Sequence, residues 1–302
     1  ASHTMRILTL LFCLAAVASS AQIRPSRTWL VDMARRPVAS GPIPSVMGGA
    51  EFYRGWLSHE HEQAWQLRVH VVAEPYRFEA DSTASIRWTT SIESHQELTA
   101  NPMNDITFNP RTARWEEQLL VHAAAATWSA RAGWFHRCKH DIDNTQSPNE
   151  GTSRAYTPIL RTLILSGPTV AFLYPTPTAT LAAGAEWYVV AADYRTPVTS
   201  NTGSWKGMQG ALWATAEASI AIAGTASIGT RLYVCAPWFT SRYNANDNSI
   251  PLEHRIELYT SLQSASAAMD FVLALERTFD EVVFLTPTPT TVLQLGVRFR
   301  SR

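Results

Sequence analysis

The chain has 302 residues and carries 25 Lys and Arg against 25 Asp and Glu, so its formal net charge is zero. A balanced charge leaves no electrostatic footprint for nucleic acid or a strongly acidic partner. Apolar residues make up 46%, yet no apolar run of roughly eighteen residues follows the N-terminus, which argues against membrane-crossing helices.

In chain order, the first feature is a leader. Met5-Arg6 supplies a positive start, Ile7 to Val17 an apolar stretch, and Ser19-Ser20-Ala21 a small-residue cleavage site. That is the layout of a secretory signal peptide, with cleavage expected after Ala21. The four residues before Met5 read as a leftover tag, so 1–21 is assigned to tag and leader. Phe12 is too large for a usual lipoprotein site at Cys13. Residues 22–45 hold Pro25, Pro37, Pro42 and Pro44 with several arginines; they read either as a periplasmic tail or as a plug.

From Trp65 onward the chain alternates. Trp65, Leu67, Val69 and Val71 share one parity, while Gln66, Arg68, His70 and Glu74 share the other. Ile256, Leu258 and Leu262 likewise oppose Glu253, Arg255 and Glu257. Period two over about ten residues is a strand signature longer than soluble sandwiches use. Strands are expected at 47–57, 64–77, 83–95, 113–126, 128–139, 157–174, 180–194, 207–222, 226–238, 251–263, 267–279 and 290–300. In the sixth, Ser166-Gly167-Pro168 reads as a bulge or a turn. Short connections near 79–82, 127, 176–178, 224–225 and 264–266 alternate with longer polar ones near 58–63, 97–112, 141–153, 195–206, 240–250 and 280–290.

Long strands with one apolar and one charged face, joined by alternating short and long connections, define an all-β, transmembrane, antiparallel up-and-down barrel of about twelve strands over 46–302. The expected location is the bacterial outer membrane, with outer-membrane lipids and lipopolysaccharide as its surroundings. A soluble sandwich or lipocalin-like barrel would need the apolar parity inside. Trp65, Trp88, Trp115, Trp128, Trp134, Trp187 and Trp238 sit near strand ends or on the outward parity, as an interfacial girdle requires. Arg68, Arg87, Glu93, Glu116, Arg131, Arg161, Glu217, Arg231, Glu253, Arg255, Glu257 and Arg298 fall on the inward parity, where charges must be paired. Cys138 and Cys235 are expected outward and inward on strands that are not neighbours, so both are read as free thiols.

Gln294-Leu295-Gly296-Val297-Arg298-Phe299 resembles the C-terminal β-signal of outer-membrane proteins, although Ser301 stands where that pattern has a further apolar residue. The resemblance implies a partner, the barrel assembly machinery.

One segment stands apart: Trp134-Phe135-His136-Arg137-Cys138-Lys139-His140-Asp141-Ile142-Asp143-Asn144. His136-Arg137-Cys138 is similar to the His-x-Ser pair of outer-membrane phospholipase and lipid A deacylase barrels. The segment also resembles the His-x-Ser-Ser-His-x-Gly-Asp-Glu motif of an uncharacterised outer-membrane barrel family. His136, His140 and Asp143 match it, while Cys138, Ile142 and Asn144 depart from it. Three readings stay open. In the first, Cys138 is a nucleophile and His136 its base, with a polar partner among His140, Asp141, Asp143 and Asn144. In the second, a metal binds: a soft ion at His136, Cys138 and His140, or Ca²⁺ at Asp141, Asp143 and Asn144. Alternate strand residues span about 13 Å, which opposes the soft-ion version. In the third, the favoured one, this is a polar strand end at the lipopolysaccharide surface, and no cofactor is needed. The leading expectation is therefore a non-enzymatic narrow channel, transport or structural barrel, with a lipid acyl hydrolase as its competitor.

Overall fold

The structure, a computed structural model, describes residues 41–56, 64–78, 86–103, 106–142, 161–195, 204–239, 252–278 and 289–301. The expected leader, most of the N-terminal segment, Asp143 and Asn144 lie outside them. The strands are β1 (Gly41–Trp56), β2 (Trp65–Arg77), β3 (Arg87–Met103), β4 (Ile106–Ala124), β5 (Ser129–Asp141), β6 (Arg161–Pro175), β7 (Ala179–Trp187), β8 (Val190–Arg195), β9 (Met208–Ala223), β10 (Ala226–Phe239), β11 (Glu253–Gln263), β12 (Ala267–Thr278) and β13 (Thr290–Ser301), with a short 3-10 turn at Ser204–Gly207. All recorded pairings are antiparallel, β1 closes on β13, and β5 joins β6. β7 and β8 are two halves of one wall position, so the thirteen segments form a closed barrel of twelve strands. Apart from β8, which pairs with β6 alone, every strand has a partner on both sides, and such closure is the condition for crossing hydrocarbon.

Side chains sort by face. Val46, Leu119, Leu258 and Ile220 on the outer face are 62%, 61%, 56% and 63% exposed, whereas Glu74, Glu116, Asp270, Glu276 and Arg298 inside are 0% exposed. A soluble barrel would reverse this; a continuous apolar outer band is what lipid requires. Aromatic residues gather at two levels. Tyr76, Phe78, Trp88, Phe172 and Tyr174 are exposed near the turn end, Trp134 near mid-strand, and Trp56, Trp115 and Trp187 nearer the loop end. Trp128 stacks on Phe172, with ring centroids 5.8 Å apart, and Phe52 on Trp65 at 5.3 Å. The molecule is an outer-membrane-type β-barrel.

Two expectations need correction. The long polar connection at 97–112 is instead a continuation of the β3–β4 hairpin, whose register runs out to Met103↔Ile106. A hairpin standing clear of lipid needs no apolar face, so its strands look like loop in the sequence. The irregularity anticipated at Ser166-Gly167-Pro168 also falls elsewhere: β6 runs straight through, and the neighbouring strand breaks at Tyr188–Val189. A Cβ on Gly167 would lie 1.8 Å from the Trp187 carbonyl oxygen, so the two backbones touch there. Val189 N donates to Ser166 O at 2.9 Å, and Tyr188 N to Gln209 O at 2.7 Å, which satisfies the break.

Candidate functional site

Alternation turns the charged parity into the barrel, and the register decides which charges meet. At the β11–β13 seam, Arg298 donates to Asp270 at 2.7 Å and to Glu257 at 2.8 Å. Arg255 bonds Glu257, Glu276 and Gln294. Arg68, on β2, reaches past β1 and β13 to Glu276 at 3.2 Å and also pairs Glu51 at 3.4 Å and Glu97 at 3.1 Å. Arg68 and Arg255 both lie over the buried Tyr53 ring, 5.3 and 4.9 Å from its centroid. Arg231 closes this sector, 2.7 Å from Glu217 and 3.6 Å from Glu257.

A second cluster surrounds Glu93. Arg131 lies 3.4 Å away, His95 3.2 Å and His122 3.9 Å, while His122 Nε2 is 2.7 Å from Ser91 Oγ. A third joins Arg137 to Glu116 at 2.7 Å and to Glu186 at 2.8 Å, with the Tyr188 hydroxyl donating to Glu186 at 2.9 Å. Arg161 and Asp193 form a buried pair at 2.7 Å. Between the third cluster and β10 the filling is apolar: Phe135, Leu165, Trp205, Met208, Trp213 and Tyr233 pack together. The interior thus has a charged sector and an apolar one.

Arg68, Glu93, Glu116, Arg131, Arg161, Arg231, Glu253, Arg255, Glu257 and Arg298 are buried on the inner face, and Glu217 is half-buried. Arg87 differs from the expectation. It is exposed at the first residue of β3, at the rim where the interior ends. Sequence reading missed Arg137 and Asp193 as interior partners. Arg137 shares parity with Arg131, which was a usable signal. Asp193 was not legible, because the break at Tyr188–Val189 moves the inward parity from even numbers (Glu186) to odd ones.

On the outside, β5 turns His136, Cys138 and His140 toward lipid. His136 is exposed and faces Glu117 and Ser166 across the register; Cys138 is half-buried and faces Trp115 and Ile164. No hydrogen bond joins His136 to Cys138 among the described residues. His140 Nδ1 lies 3.1 Å from Thr162 Oγ1, and its ring meets Trp115 edge-on at 5.3 Å. Asp141, expected in a loop as a calcium ligand or orienting group, ends β5 with its side chain buried on the inner face. It cannot join the outward row, because successive strand residues point to opposite faces. Among the described residues no group of three or more His, Cys, Asp or Glu side chains is gathered for a metal ion. Cys138 and Cys235 are both free.

No protein-family model matches the chain, and no curated protein does. Solved structures do resemble it. The transport unit of the autotransporter AIDA-I from Escherichia coli is 9% identical, with 92% of this chain and 94% of that one covered and a TM-score of 0.44. Outer membrane phospholipase A from Escherichia coli is 9% identical over 88% and 94%, with a TM-score of 0.45. An outer membrane channel from Pseudomonas putida F1 is 8% identical over 93% and 99%, with a TM-score of 0.42. The barrel assignment rests on strand register and the sorting of side chains.

Proposed function

We propose that the protein is a narrow outer-membrane channel whose charged lumen is held closed by its own ion pairs. The observation that carries this reading is the seam network, in which Arg68, Arg255 and Arg298 are each bonded to carboxylates on other strands and are 5% exposed or less. A filling that served packing alone gains little from buried ion pairs, since apolar residues of similar volume do as well or better. Ion pairs can separate and hydrate, so a water path can open along the charged sector and not along the apolar one. The hydrolase reading is less well supported: the registered neighbours of Cys138 are apolar, and Asp141 points away.

Single-channel recording in planar bilayers tests the proposal. The wild type should show low, intermittent conductance, and Arg68→Ala with Arg255→Ala should raise its open probability. Phe135→Ala, in the apolar sector, should not. A steady porin-like conductance in the wild type, or silence in the double variant, would sink the idea.

A further inference from the structure

Among the described residues, Glu117 is the one acid on the outer face; every other Asp or Glu side chain described points inward. It lies one outward-facing step to the membrane side of Trp115 and directly across the register from His136. His136 in turn lies one step to the loop side of Trp134. The row continues to Ser94 on β3 and Ser166 on β6, and Gln96 adds an exposed amide beside Trp115. Elsewhere on the described outer face the residues are mostly apolar, with scattered Thr and with Arg54, His254 and Arg277.

Several other outward polar groups find partners within the chain, although among the described residues His254 Nδ1 on β11 does not. Arg54 lies over the Trp65 ring at 4.6 Å and donates to Ala64 O at 3.0 Å. Arg277 donates to Thr291 Oγ1 at 3.1 Å, and Ser166 accepts from Trp134 Nε1 at 3.0 Å. Glu117 and His136 make no hydrogen bond or ion pair with any described residue. An ionisable group facing lipid is costly and is normally paired.

We propose that the β3–β5 wall is the interface of a homodimer. An acid and an imidazole side by side on one face are self-complementary about a two-fold axis. Glu117 meets the partner's His136, and His136 meets the partner's Glu117, so two symmetry-related contacts satisfy four groups. Leu119 and Trp134 (61% and 47% exposed) supply the apolar part of the same face. The complementary charges fix register and exclude other docking orientations.

Light scattering on the detergent-solubilised, folded protein, repeated by native mass spectrometry from nanodiscs, reads the association state. Wild type is expected as a dimer. Glu117→Lys and His136→Glu should each weaken the dimer at least about tenfold. The swap carrying Glu117→His with His136→Glu should restore it. Heat-modifiable gel migration confirms folding of each variant. A photoreactive residue at position 96 of the otherwise wild-type chain should cross-link two copies, and one at 258 on another wall should not. This second measurement decides the matter should a charge variant fail to fold. A wild type that is monomeric in detergent and in nanodiscs overturns the proposal and leaves the patch to lipid headgroups. So does a Glu117→Lys variant that remains as dimeric as the wild type.

Discussion

Aromatic rings resting on glycines set some of the tightest contacts in the wall. A Cβ on Gly229 would meet the Tyr259 ring and hydroxyl at 2.4 Å, with side-chain atoms alone in the way. A Cβ on Gly296, within the terminal signal-like segment, would meet the Phe52 carbonyl oxygen at 2.2 Å as well as the Tyr53 ring at 2.3 Å. The two sites should respond differently to the same change. Gly229→Ala should cost about 1–3 kcal/mol by overpacking, and adding Tyr259→Ala should relieve most of the clash, as seen in the denaturation midpoint. Gly296→Ala should cost at least as much and find no relief from Tyr53→Ala, since backbone is in the way. Equal rescue at both sites would contradict these contacts.

Charge at single positions has a similar asymmetry. Arg298 is 0% exposed and bonds both Asp270 and Glu257. Arg298→Met would take one arginine from each of two buried carboxylates, leaving Glu257 with Arg255 and Asp270 with Arg300, and should cost about 1–3 kcal/mol in guanidinium unfolding from micelles. Arg300, whose side chain is 22% exposed at its contact with Asp270, should matter far less when changed to Met. A comparable loss for both would mean that the interior is wetter than the burial of Arg298 implies.

At the scale of strands, alternation by itself makes most of the wall legible in the sequence. Gln66, Arg68 and His70 against Leu67, Val69 and Val71 state both the strand and the face that each residue takes. Legibility fails where lipid stops imposing the pattern. The β3–β4 hairpin continues past Thr99 and Thr112, whose hydroxyls lie 2.7 Å apart, out to the pairing of Met103 with Ile106. That stretch reads as loop because its sequence lacks the apolar alternation that a lipid-facing strand needs. The same reasoning yields an expectation: joining Ala100 to Pro110 by a short turn should leave a folded, heat-modifiable barrel. Failure to fold would make the projecting hairpin part of the structural core. The β7–β8 break is hidden for another reason. It shifts parity by one residue, so Asp193 points inward although Glu186 predicts the opposite face for it. Pairing partners are hidden as well, because which arginine meets which carboxylate depends on register between strands far apart in the chain.

For the whole molecule, two surfaces with opposite rules share each strand. Among the described residues the outer one is mostly apolar, with Glu117 as its one acid, and the inner one is charged in one sector and apolar in another. The outward patch is half legible: His136 stands out from its sequence neighbourhood, but Glu117 becomes its neighbour only through the β4–β5 register. The functional reading depends on the inner surface being closed to bulk water at rest. Ser261 is 0% exposed on the inner face of β11, and Leu262 beside it is 44% exposed on the outer face. The most direct test replaces Cys138 and Cys235 by Ser and Ala, introduces a thiol at Ser261, and measures its labelling by a membrane-impermeant maleimide. A closed charged lumen predicts that Ser261→Cys in the folded barrel labels at least about a hundredfold more slowly than in denaturant, where opening of the packed interior controls access. Labelling as fast in the folded protein as in the unfolded one would mean a standing water-filled pore and would contradict the closed channel.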